Sequence, residues 1–295
     1  MHDYMNTREV ADYLRIKERK VYDLVARHRI PCARVTGKWL FPKSMIDLWV
    51  LQGTEAAADV MPRPAPPMVA AGSHDPLLDW AIAESESGLA MLFNGSLDGV
   101  RRFAAGQALL CGMHVFDAES RDYNLPLVRQ TFGAAPVVLV EWAKRSQGLI
   151  VASGNPLKLT ELTEVAKRQI RFADRQPEAG SRLLLTHLLA AHKLDLNDLT
   201  IVDPPVRSET EVAMAVLDGR ADVGFGIAAA AKQFRLGFVP LHGERYDLLL
   251  GRRDYFEPPF QKLLAFARGP RFAARAADLA GYDTGTLGRI VYNGP

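Results

Sequence analysis

The sequence predicts an α/β protein in two parts, a small helix-turn-helix head followed by a larger α/β body. Three observations predict it. Two short amphipathic segments separated by a three-residue break open the chain, and four prolines crowd residues 62–67. From residue 68 onward, strand-like and helix-like runs alternate, the pattern of largely parallel sheets flanked by helices. The expected organisation is a head at 1–53, a proline-rich linker at 54–67 and a body at 68–295.

Composition bounds the function classes. Of 295 residues, 48% are hydrophobic and 24% charged, enough apolar material for a buried core and too much for a disordered chain. No apolar run approaches the roughly 20 residues that a membrane-spanning helix needs. The opening Met1–Arg8 lacks a basic-then-apolar secretory pattern, and two cysteines make neither a disulfide framework nor a zinc cluster. These features predict a cytoplasmic protein with no membrane association. Charge is uneven: residues 1–53 carry ten Lys/Arg against six Asp/Glu, a net +4, while the rest carries −2. A polyanion is therefore expected to meet the head.

In the head, Thr7–Leu14 reads as a short helix capped by Thr7, with Val10, Ala11 and Leu14 on one face. Glu18–Arg27 follows with Val21, Leu24 and Val25 as its apolar stripe. Residues 31–35 and 38–41 flank Thr36-Gly37 as a small hairpin, or wing, and Pro42 is expected at the first position of a third helix. The functional reading places Lys17, Arg19, Lys20, Tyr22 and Arg27 against DNA phosphates and base edges, with Arg34 and Lys38 extending the contact from the wing. A basic helix alone more often means a solvated charged face than a DNA contact.

Strands are expected at 68–71, 89–94, 136–140, 149–152, 170–172, 223–226 and 247–250. Helices are expected near 75–86, 97–105, 160–167, 181–192, 209–218 and 257–268. Three turns stand where a strand feeds a helix: Gly72-Ser73-His74-Asp75-Pro76, Asn94-Gly95-Ser96-Leu97-Asp98-Gly99, and Asp174-Arg175-Gln176 through Gly180-Ser181-Arg182. Backbone N–H groups at a helix start, a serine hydroxyl and the helix dipole together favour an anion. Converging turns of this kind would build an oxyanion site from neutral donors, with His74 beside the first turn as a further candidate. The same residues also serve as ordinary turn and cap residues, and Arg175 and Arg182 as ion-pair partners. No phosphate-loop lysine, nucleophile elbow or histidine–cysteine metal pattern is present, so no enzyme and no cofactor is expected.

Two resemblances sharpen the reading. Met5–Leu14, Arg19-Lys20-Val21-Tyr22, Ile30-Pro31, Gly37-Lys38-Trp39 and Ile46-Asp47-Leu48-Trp49 resemble the excisionase-type winged helix-turn-helix, with Lys17 where that family carries a capping Ser or Thr. The three turns, together with Asp218–Gly226 and Glu244-Arg245-Tyr246-Asp247-Leu248, resemble the two-lobed type II periplasmic-binding-protein-like domain of bacterial one-component regulators. That domain is similar to molybdate- and tungstate-binding proteins. The resemblance implies a ligand site containing Ser73, Ser96, Ser181 and Arg182, with Tyr246 as a further donor; His74 and Arg175 are added as candidates from their places in the first and third turns. Glu178 and Asp98 depart from the family pattern and point to a small organic anion as the alternative ligand. The function expected is a ligand-responsive transcription regulator, a homodimer on operator DNA with molybdate or tungstate as effector. An enzyme on a binding-protein-like fold is the competing class.

Overall fold

The computed structural model describes residues 4–35, 37–52 and 65–295. It divides the chain into two compact units, one ending at Pro64 and the other beginning at Ala65. Thr36 and residues 53–64 lie outside the described residues, so Gly53 and most of the expected linker do too.

The first unit comprises β1 (Tyr4–Met5), α1 (Thr7–Tyr13), α2 (Glu18–Ala26), β2 (Ala33–Val35), β3 (Lys38–Pro42) and α3 (Lys43–Gln52). Its strands pair antiparallel in the order β1-β3-β2, which makes the expected wing. Two local expectations are corrected. The cap of α1 is Asn6 rather than Thr7: its side chain accepts from the Glu9 N–H while Glu9 reaches back to the Asn6 N–H, a reciprocal capping box. Pro42 ends β3 instead of opening α3, because its neighbour Phe41 is pinned opposite Met5 and carries the strand one residue further. Val10, Ala11, Val21, Val25, Phe41 and Ile46 close the core, whereas Met45 and Leu48 are exposed.

The second unit opens with β4 (Val69–Gly72), α4 (Pro76–Glu84), β5 (Ala90–Phe93), α5 (Ser96–Ala104) and β6 (Leu110–Met113). A hairpin of β7 (Phe116–Asp117) and β8 (Asp122–Tyr123), then α6 (Leu125–Phe132), leads into β9 (Val137–Val151). Next come α7 (Leu162–Lys167), β10 (Arg171–Arg175), α8 (Gly180–Ala191), β11 (Thr200–Val206), α9 (Glu209–Leu217), β12 (Val223–Ile227) and α10 (Ala228–Gln233). The chain closes with β13 (Gly237–Gly251), α11 (Arg252–Tyr255), α12 (Pro258–Ala267), α13 (Pro270–Leu279), β14 (Tyr282–Asp283) and β15 (Ile290–Asn293).

These strands form one mixed sheet in the order β11-β10-β12-β9-β13-β6-β4-β5. Parallel β4, β5 and β6 make one lobe; parallel β10, β11 and β12 make the other. Between them β9 and β13 run antiparallel to each other for most of their 15 residues, with register shifts at Pro240/His242 and Tyr246/Asp247. Thus 136–140 and 149–152, expected as two strands, are the ends of one. The polar run between them suggests a break, but Glu141, Arg145 and Gln147 are all buried and partnered by side chains from other elements.

The first turn is held by close backbone approach. Gly72 has φ +115°, and a side chain there would strike the Gly112 backbone. A Cβ on Gly112 would fall onto the Tyr246 hydroxyl. Gly112→Ala is therefore expected to cost about 1–3 kcal/mol through overpacking, read as a fall in the unfolding midpoint of the isolated chain. A midpoint equal to that of the unaltered protein would contradict this packing.

Candidate functional site

The three serine turns sit at the C-terminal ends of β4, β5 and β10, where open α/β sheets gather ligands. Ser73 follows β4, Ser96 is the first residue of α5, and Ser181 the second of α8. All three are buried. What joins them is His114, just after β6, which sequence reasoning missed. Its Nε2 lies 2.8 Å from Ser73 Oγ, and its backbone N–H donates to Ser96 Oγ at 3.3 Å. The first residue of α8 abuts it: a Cβ on Gly180 would stand 2.6 Å from the His114 carbonyl oxygen and 2.9 Å from Nε2. Ser73, Ser96 and the start of α8 therefore meet around one residue, Ser73 and α8 at its ring and Ser96 at its backbone N–H. A lone histidine between a strand and a loop carries no motif that would have singled it out.

Ser181 itself behaves differently. Its Oγ is buried and has no hydrogen-bond partner among the described residues. The side chain lines a narrow crevice with Asp174, Arg175, Arg182, Phe172 and Phe225. As the first residues of a helix, Gly180 and Ser181 present backbone N–H groups with no intrahelical acceptor. A wider, open cleft lies on β9 and β13, lined by Lys144, Ser146, Pro240, His242 and Tyr282, and includes none of the three serines.

Behind His114 lies a buried ionic network. His114 Nδ1 is 2.8 Å from Glu244 Oε2, and Glu244 Oε1 accepts from Arg145 Nε at 2.7 Å and Gln147 Nε2 at 3.1 Å. Arg145 Nη1 donates to Asp75 Oδ2 at 2.8 Å. Asp75 caps α4 by accepting from the Leu78 N–H and also accepts from the Tyr282 hydroxyl. Burial pushes the Glu244 carboxyl up, but Arg145, His114 and Gln147 outweigh it and hold it down at about 2.

The remaining sequence candidates are engaged elsewhere. The Tyr246 hydroxyl is spent on the Ser73 carbonyl at 2.5 Å, while its ring stacks on His114 and carries the Arg145 guanidinium on its other contact. Tyr246 thus props the first turn from behind. Arg175 is buried against Glu209 at 2.7 Å, and Arg182 binds Asp174 at 2.7 Å, so neither arginine offers an unmatched charge. His74 packs its ring edge-on to Phe93, with Nδ1 buried and lacking a hydrogen-bond partner among the described residues. The two departures from the family pattern also have partners. Glu178 makes a two-pronged pair with Arg101, and Asp98 is held by Arg101 and Arg102. The first of these ties the α8 approach to α5, across the two lobes.

In the first unit, Lys17, Arg19, Lys20, Tyr22, Arg27, Arg34 and Lys38 are all exposed. Lys17 is the N-cap of α2 and makes no side-chain cap bond. Asp23 draws Arg27 at 2.9 Å and Lys20 at 3.5 Å, and Arg34 lies over the Trp39 ring.

Residues 80–268 match the family model described as the PBP superfamily domain, and residues 4–54 match a helix-turn-helix domain. The chain belongs to the PBP superfamily. Its PBP domain follows an excisionase-type helix-turn-helix, and no helix among the described residues is long and apolar enough to cross a membrane. Over 96% of both chains, it is 24% identical to the uncharacterized Bacillus subtilis protein YvgK. A Clostridium pasteurianum protein encoded in the 5′ region of a ferredoxin gene is 33% identical over 85 residues, 28% of this chain and 75% of that one. The PBP domain also shares its fold with a Clostridium perfringens protein described as a phosphate transporter substrate-binding protein with bound phosphate. The TM-score is 0.53 at 10% identity, covering 75% of this chain and 98% of the other. A helix-turn-helix joined to a PBP domain is the make-up of a ligand-responsive regulator.

Proposed function

We propose that this chain is a cytoplasmic, homodimeric transcription regulator whose PBP domain senses a small oxyanion, molybdate or tungstate. The head, 1–53, reads the operator through Arg19, Lys20, Tyr22 and their neighbours, and the segment 54–67 links it to the sensor, 68–295. The observation that carries the reading is the meeting of Ser73, Ser96 and the start of α8 around His114, with the Ser181 hydroxyl buried and unbonded. Serine hydroxyls and the N–H groups at the start of α8, which have no intrahelical acceptor, suit a desolvated anion without requiring a matched cation. Ligand held between lobes stabilises the closed form, and closure alters the spacing of two heads in a dimer only to the extent that affinity differs between states. His74, Arg175, Arg182 and Tyr246 support the walls of this site, Tyr246 from behind the first turn.

The Ser73–His114–Glu244 chain also has the connectivity of a nucleophile, a base and an orienting acid. Ser73 is fully buried and its carbonyl is capped by Tyr246, so the same chain is better suited to holding an enclosed anion than to attacking a substrate.

The test is stabilisation by oxyanions. Molybdate or tungstate is expected to raise the unfolding midpoint, and Ser96→Ala to weaken molybdate binding about tenfold by removing one hydrogen bond to the anion. Stabilisation by organic acids alone would replace the oxyanion with an organic anion; no response to either class would reject the sensor.

A further inference from the structure

The hydrogen-bond chain behind Ser73 has a polarity that a bound anion must reverse. Glu244 is a carboxylate that accepts from Arg145 and Gln147, so the His114 Nδ1 facing it carries a hydrogen. In a neutral imidazole Nε2 is then a bare acceptor, and the only hydrogen between it and Ser73 Oγ is the serine's own. The Ser73 hydroxyl therefore points at His114 and turns its lone pairs outward, the wrong polarity for an oxyanion.

Charge leads to the same conclusion. Among the described residues, Glu244 and Tyr246 from β13, Ser73 from the first turn, Ser96 from α5 and the start of α8 at Gly180 contact His114, and Arg145 from β9 and Asp75 from the first turn join it through Glu244. One guanidinium serves two acidic side chains, Asp75 and Glu244. With neutral His114 the cluster is one positive charge short, which disfavours an incoming anion.

We propose that His114 makes the site bind its oxyanion together with one proton. A proton from solvent adds to His114 Nε2, which then donates to Ser73 Oγ; the serine hydrogen turns to an oxygen of the anion. Site, dianion and one proton combine in a single step, with no bond broken in the ligand. His114 thus sets the donor polarity of Ser73, and affinity falls as protons become scarce.

This inference rests on the oxyanion reading, and calorimetry separates the two. Sodium molybdate is titrated into the full chain at about pH 8, where molybdate is a dianion, in buffers of different ionisation enthalpy. Uptake of close to one proton per molybdate is expected, with affinity weakening about tenfold per pH unit in the alkaline range. In His114→Gln the uptake and the pH dependence are expected to disappear together. Should that variant fail to fold, the ¹⁵N-histidine spectrum of the unaltered chain decides, since Nε2 of His114 must gain a hydrogen when molybdate is added. Binding without proton uptake, or uptake that persists in folded His114→Gln, overturns the inference and leaves the sensor standing. Failure of molybdate, tungstate and sulfate to bind at any pH overturns both.

Discussion

Arg145→Met is expected to lower the stability of the PBP domain by about 3–5 kcal/mol, because removing one partner of a buried ionic group strands the others. Arg145 on β9 is the cation between Asp75, the N-cap of α4, and Glu244 on β13, all three fully or almost fully buried. Without it two carboxyl groups face each other in a space with little water to screen them. Urea unfolding followed by circular dichroism reads the loss as a shift in midpoint. Removing all three charges together, with Asp75→Asn and Glu244→Leu added to Arg145→Met, is expected to recover part of the loss, since none of the three is then left as an unpaired charge. A single variant as stable as the unaltered protein would show that Arg145 is not the counter-charge of this network.

The same network carries a pH signature. Glu244 titrates in the folded chain at about 2, below the ordinary 4.5 of a glutamate. A depressed carboxylate contributes stability that is fully present above its unfolded pKa and is lost as pH falls through the folded one. The contribution of Glu244 should therefore decline from about pH 4.5 towards 2, and Arg145→Met should shift that decline to higher pH.

The second large effect is expected in the head. Arg19→Ala combined with Lys20→Ala should weaken binding to upstream DNA by roughly tenfold to a hundredfold, and reduce the salt slope by about one for each phosphate left without its cation. Arg19 has no ion-pair partner among the described residues. Lys20 is only loosely drawn to Asp23, an exposed pair that competes little with a phosphate. Fluorescence anisotropy across a salt series measures both quantities. Arg271→Ala, in the other unit and paired with Glu84 at the surface, supplies the control; an equal loss there would mean that the head does not bind the DNA.

Much of the architecture could be read from local pattern. Val10, Val21 and Val25 mark the apolar faces of the head helices, and the strand-feeding turns at 73, 96 and 181 lie at the ends of β4, β5 and β10. Local signals of this kind come from neighbours in the chain: periodicity, caps and glycines at positive φ. They fail where a polar residue is matched by a distant one. Glu141, Arg145, Gln147 and Glu244 look like loop residues in sequence, yet they lie inside two long strands because their partners come from 289, 75 and 114.

The candidate site divides along the same line. Serine and glycine at a helix start announce donors, and the sequence alone marks all three turns. Which donors meet, and which way each hydroxyl points, depends on His114, 41 residues from Ser73 and 130 from Glu244. Likewise Arg175, Arg182 and Tyr246 are marked by residue type as possible ligand contacts, and the folded chain gives them Glu209, Asp174 and the Ser73 carbonyl as partners. Residue type decides what a side chain is able to bind. Only packing across β9 and β13 decides which of those bonds are already made, because a buried polar group takes whatever partner the tertiary structure brings within reach.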